Sequence, residues 1–126
     1  MSSKPRMSRH HRKCKSLGGT NAFENLVVIP MKEHRAWHLI FDNKPAPQIA
    51  GIINAHYIDP TMELCVVDIV SGEQVDVDYR AVTEPTTKHW SAWQTLFNHQ
   101  GIGYVCTMIN EIYLDPDYQF FIRRRR

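Results

Sequence analysis

Four histidines and an asparagine fall inside one short stretch, RHHRKCKSLGGTNAFENLVVIPMKEHRAWH, as His10, His11, Asn25, His34 and His38. Neutral imidazole is a common metal ligand, and its charge changes near neutral pH, so it can serve as ligand or as proton carrier. His34 and His38 stand one helical turn apart. That spacing puts both side chains on one helix face, as two ligands of one metal require. A third histidine from an adjacent strand would close a three-ligand site and leave one position open for water or substrate, the mark of a catalytic site. His10 and His11 are adjacent, and neighbours on a strand point to opposite faces. Such a pair can divide into ligand and base if local twist brings both to one cleft. Phosphodiester hydrolysis needs those two parts. A metal ion stabilises the departing oxygen and the charge on phosphorus, and a base deprotonates the attacking water.

The elements that must position these residues can be read from pattern. Residues 9–13 read as a short strand, and 16–21 as an irregular turn-rich segment with Gly18-Gly19 as a tight turn. Residues 25–30 (NLVVIP) are β-branched and apolar, a buried strand that Pro30 ends. A helix follows over 32–41 with Glu33 in its first turn, and a second over 48–57 that Asp59-Pro60 stops. Residues 64–70 and 74–79 read as hairpin arms, and 88–98 and 104–113 as two more helices. Trp37 and Phe41, with Leu26, Val28, Leu39 and Ile40, are the expected core around the first unit, and Trp90 and Trp93 are also assigned to core. His56, His89 and His99 are assigned no role.

The second half repeats the first at an offset of 56 residues. Ala36, Trp37 and Phe41 correspond to Ala92, Trp93 and Phe97; Ile53-Asn54 to Ile109-Asn110; Tyr57 to Tyr113; and Asp59-Pro60 to Asp115-Pro116. This is an internal duplication of a hairpin–helix–helix unit. At the same offset His10, His11, Asn25, His34 and His38 become Val66, Val67, Ala81, Trp90 and Gln94, so the second copy is expected to keep the fold without the chemistry. The expected fold class is α+β, divided into a flexible basic N-terminus (1–8), a first unit (9–60), a degenerate repeat (61–118) and a basic tail (119–126).

The stretch from Arg9 to Phe41 resembles the HNH nuclease motif of the ββα-metal fold, closest to the colicin-type and phage pattern. The residues that carry the likeness are His10-His11, Asn25, His34 and His38, with the Gly-Gly turn and the apolar strand before the helix. The resemblance implies that His10, His34 and His38 hold one divalent metal ion (Mg, Mn, Zn or Ni). It implies that His11 is the general base and that Asn25 fixes the loop and so the aim of His11. Arg9, Arg12, Lys15 and Arg35 would touch phosphates, and products would carry a 5′-phosphate and a 3′-hydroxyl. The chain lacks the Cys pairs with which many family members bind a structural zinc.

Composition sets the frame. The chain has 126 residues, enough for one domain or two very small units sharing a core, and a net charge of only +2. The charge is unevenly placed. Basic ends (Lys4 to Lys15, Arg123 to Arg126) flank an acidic centre, an arrangement that could grip a polyanion. Cys14, Cys65 and Cys106 form no C-x-x-C pair, which argues against a disulfide framework. No apolar run suggests a membrane span or a signal sequence, so the expected location is cytoplasmic. Two functions fit these features. One is a metal-dependent DNA endonuclease; the other is a metal-stabilised nucleic-acid-binding module without catalysis. RNA as substrate would use the same residues, and the second unit could serve a homodimer.

Overall fold

The computed structural model describes residues 5–126; of the N-terminus expected to be flexible (1–8), residues 1–4 lie outside the described residues, and Met7 and Ser8 instead begin the first strand. The fold is α+β, with four helices and two small antiparallel sheets. Strands β1 (Met7–His11) and β2 (Leu26–Pro30) form a hairpin in which His10 faces Val27 and His11 faces Leu26. Helix α1 (Met31–Phe41) follows β2 at once, and α2 (Ala46–His56) follows α1. Next come β3 (Met62–Asp68), the two-residue β4 (Gln74–Val75), α3 (Thr87–Phe97), α4 (Ile102–Met108) and β5 (Tyr118–Arg124). The second sheet has the order β4-β3-β5.

The spacing of 56 residues recurs in these bounds. It carries Met31–Phe41 onto Thr87–Phe97 and Met62–Asp68 onto Tyr118–Arg124. Strands β3 and β5 pair antiparallel with Cys65 opposite Phe121, its own counterpart. The outer pairs Met62–Arg124 and Asp68–Tyr118 exchange under the same offset. Side-chain contacts follow suit. Buried Asn54 clasps both backbone groups of Leu64 (3.0 and 2.7 Å), and Asn110 clasps those of Phe120 (2.9 and 2.8 Å). Trp37 stacks on Tyr113 and Trp93 on Tyr57, each with ring centroids 4.6 Å apart. Each tryptophan therefore packs on the tyrosine of the other copy. A local two-fold axis relates two helix–helix–strand units (31–68 and 87–124), with the β1–β2 hairpin outside them. Val66 and Val67 accordingly sit in the central strand β3, not in a second copy of that hairpin.

Several expectations are corrected. Residues 118–124 are not a loose basic tail but the strand β5. Phe120 is buried, Arg123 pairs with Glu63 at 2.8 Å, and Arg125 reaches the carbonyls of Asn54 and Met62. The β-prone aromatic and branched residues of YQFFI, paired along β3, outweigh the arginine run that follows them. The arm expected over 74–79 stops at Val75 because the chain leaves the sheet to cross α2. There Asp78 N–H bonds to the Pro47 carbonyl, and only Gly51 leaves room, since a Cβ would meet the Asp78 carbonyl oxygen at 2.2 Å. Helix α4 does not run evenly to Tyr113; it widens into a π-helical turn over Ile109–Tyr113. Val28 (62 %), Leu39 (47 %) and Trp90 (41 %) are too exposed to be core. No helix among the described residues is long and apolar enough to cross a membrane.

Candidate metal centre and nucleic-acid cleft

The hairpin lies against α1, and this places the three expected ligands together. His10 points inward from β1 and is 1 % exposed; His34 and His38 project from successive turns of α1. One ring nitrogen from each lies within 4.8 Å of the others, so the cluster could hold a metal ion. The far nitrogens are tethered. His10 Nε2–H donates to the Tyr113 carbonyl at 2.9 Å, which leaves Nδ1 buried without a partner. His38 Nδ1–H donates to the Asp42 carbonyl at 3.2 Å, leaving Nε2 as a free lone pair. His34 Nε2 lies 2.9 Å from His38 Nε2, and its Nδ1 is 2.6 Å from Ser8 Oγ.

The carbonyl tethers fix the tautomers of His10 and His38. A carbonyl only accepts, so His38 carries its proton on Nδ1 and its Nε2 accepts from His34 Nε2–H; the Ser8 hydroxyl then donates to His34 Nδ1. A hydroxyl can also accept, so His34 can move its proton to Nδ1 and free Nε2 without changing charge. Two nitrogens bound tetrahedrally at about 2.0–2.1 Å lie roughly 3.3 Å apart. The two Nε2 atoms need to part by only a few tenths of an ångström. Three neutral imidazoles, each held from behind, fit a transition metal. Burial lowers the pKa of His10 to about 4, against the opposing effect of the Tyr113 carbonyl. Burial also lowers that of His34, with His38 and His11 adding to it. His10 and His34 are thus biased towards the uncharged form that binds metal.

His11 faces the other side of β1 yet lines the same cleft, about 260 Å³, as His34, His38, Arg9, Cys14, Lys15, Ser16 and Asn43. Its Nε2–H donates to Asn21 Oδ1 at 2.9 Å, so Nδ1 is its basic atom. Asn25 is buried and clasps the loop from inside. It accepts from Lys13 N–H (2.6 Å) and donates to the carbonyls of Lys13 (3.1 Å) and Thr20 (2.8 Å). Gly19 is needed where the loop folds back, since a Cβ there would collide with the Lys13 carbonyl. Arg9 and Lys15 stand exposed at the cleft, and Arg35 is exposed on α1.

Arg12 does not join them. Its guanidinium turns inward, Nε donating to the Leu114 carbonyl at 2.8 Å and Nη2 to the Asn110 carbonyl at 2.5 Å. The π turn directs those carbonyls and that of Tyr113 towards the hairpin. Sequence reasoning missed Ser8, Asn21 and the carbonyls of Asp42 and Tyr113. Ser8 carried a signal, since it shares the inner face of β1 with His10. Backbone acceptors carry none. Asp42 has a strained positive φ of 49° that aims its carbonyl back at His38. Compared with known proteins, the chain matches no family model, no curated protein and no solved structure.

Proposed function

We propose that the protein is a metal-dependent DNA endonuclease of the HNH type. The observation that carries this reading is the division of labour in one cleft. Three tethered imidazoles converge, and a fourth, His11, lines one cleft with two of them, His34 and His38, its Nε2 tied to Asn21. A site built only for stability has no use for that fourth ring.

In this reading His10, His34 and His38 hold one divalent ion, which when bound stabilises charge on the phosphate and on the leaving oxygen. His11 takes a proton from water at Nδ1, and Asn21 stabilises the resulting imidazolium by accepting from Nε2–H. Asn25 keeps the loop, and with it the end of β1, at a fixed distance from α1. Arg9 and Lys15 attract the phosphate backbone to a cleft that no carboxylate lines. The second unit carries Trp90 and Gln94 where the first has His34 and His38, so one chain has one site.

Supercoiled plasmid incubated with Mg²⁺, Mn²⁺, Ni²⁺ or Zn²⁺ tests this. The expected product is open circle ahead of linear DNA, stopped by EDTA. His11→Ala should abolish cutting and leave metal binding intact, whereas His34→Ala should lose both. Full turnover by His11→Ala would overturn the assignment of the base. A wild-type protein that binds DNA and cuts with no metal would leave a binding module.

A further inference from the structure

A groove of about 670 Å³ lies away from the histidines, between α1 and α3. Lys32, Arg35, Ala36 and Leu39 line it from α1, and Lys88, Ser91, Ala92 and Thr95 from α3. These are the same four positions of the two units, so the local two-fold axis emerges here. Arg6 joins from the segment before β1, and no carboxylate is among the lining residues. Among the described residues, none of Arg6, Lys32, Arg35 and Lys88 is engaged in an ion pair.

We propose that this groove is a second docking surface for duplex DNA, which extends the footprint of the nuclease cleft across α1 onto the other unit; the inference rests on the nuclease reading. Three features favour this occupant. The first is charge, four unpaired cations on one face. The second is continuity. Arg35 and Leu39 each follow a metal-site histidine on α1, so the helix is a wall shared by groove and cleft, and Arg9 and Lys15 continue the basic track on the cleft side. The third is symmetry. Lys32 and Lys88 are two-fold mates, one on each helix, and phosphates on opposite strands of a duplex are themselves related by two-fold axes. The floor is low, formed by Ala36 and Ala92, so the cations on both rims can approach one backbone each. This placement gives the second unit a share of substrate binding without a catalytic group.

The test is fluorescence anisotropy with a labelled 20-bp duplex in EDTA, where nothing is cut, across a range of salt. Lys32→Glu and Lys88→Glu lie on exposed helix positions and leave the core untouched. Each should weaken binding at least tenfold and reduce the slope of log K against log salt by about 0.9, the loss of one phosphate contact. The double variant should lose about twice that slope. If Lys88→Glu binds and nicks DNA as the wild type does, the groove serves something else, such as an acidic protein segment, and this inference falls while the nuclease stands. If the wild type binds no duplex, both fall. A Lys88→Glu protein that binds weakly yet still nicks plasmid at high concentration and low salt would support both.

Discussion

Acidifying the metal-free protein should remove stability through His10. The ring is 1 % exposed, and burial pulls its pKa from 6.5 to about 4, with His34, His38 and Arg12 acting in the same direction and the Tyr113 carbonyl opposing them. A histidine whose folded pKa lies below its unfolded value binds more protons when the chain is unfolded. Its contribution is therefore complete above pH 6.5 and is lost as pH falls towards 4. At about 1.4 kcal/mol per pKa unit, that interval amounts to about 3 kcal/mol. His34, also depressed by burial, adds a loss of the same sign. The comparison protein is His10→Gln, which keeps an N–H for the Tyr113 carbonyl and does not titrate. Urea unfolding in EDTA, from pH 7 down to 4, should show the wild type losing about 3 kcal/mol more than the variant. Groups such as Asp78 and Asp115 titrate in both proteins and cancel in the difference. Parallel pH profiles would refute the account of His10 as a ring held neutral by burial.

Other perturbations separate support from chemistry. Arg12→Met removes the clamp on the Asn110 and Leu114 carbonyls; calorimetric titration should show Zn²⁺ or Ni²⁺ affinity falling about tenfold, while the salt dependence of DNA binding stays unchanged. An altered salt slope would return Arg12 to the phosphate-contacting residues. Asn54→Ala and Asn110→Ala each strip two hydrogen bonds from a buried strand residue and should cost about 3 kcal/mol by urea unfolding, in similar measure because the two asparagines do the same work. Asp42→Gly relieves a positive φ of 49° and should raise stability by about 1 kcal/mol, yet lower metal affinity because the His38 tether slackens. Equal metal affinity in that variant would mean the Asp42 carbonyl does not orient His38.

Much of this was legible in the sequence because it depends on period. Alternation on β1 and the i, i+4 spacing on α1 are enough to send His10, His34 and His38 to one place, given a tight strand-to-helix turn at Pro30-Met31. The two amphipathic helices of each unit and the offset of 56 residues are local patterns as well. What was hidden is tertiary. Arg12 looked like a phosphate ligand because nothing local reveals carbonyls a hundred positions away that take its guanidinium. The arginine run concealed β5, whose apolar residues Phe120, Phe121 and Ile122 stand just before it. Val28 reads as core by type but stands on the outer face of a two-stranded sheet that packs on one side only.

The two units share a scaffold but differ at particular places. Trp90, the counterpart of His34, lies against Tyr57 with centroids 4.9 Å apart, so an apolar contact occupies the place where the first unit keeps a ligand. Among the described residues the π turn occurs only after α4; α2, its counterpart, ends with an ordinary bond from Tyr57 N–H to the Ile53 carbonyl. That single irregularity supplies Tyr113 O to His10 and the pair of carbonyls to Arg12. The side of the second unit that meets the hairpin thus fits the His10–His34–His38 cluster of the first. The side that meets α1 has kept its lysine at the two-fold mate of Lys32. On the proposed reading the second unit has two duties: its π turn holds the histidine cluster from behind, and Lys88 extends the basic surface.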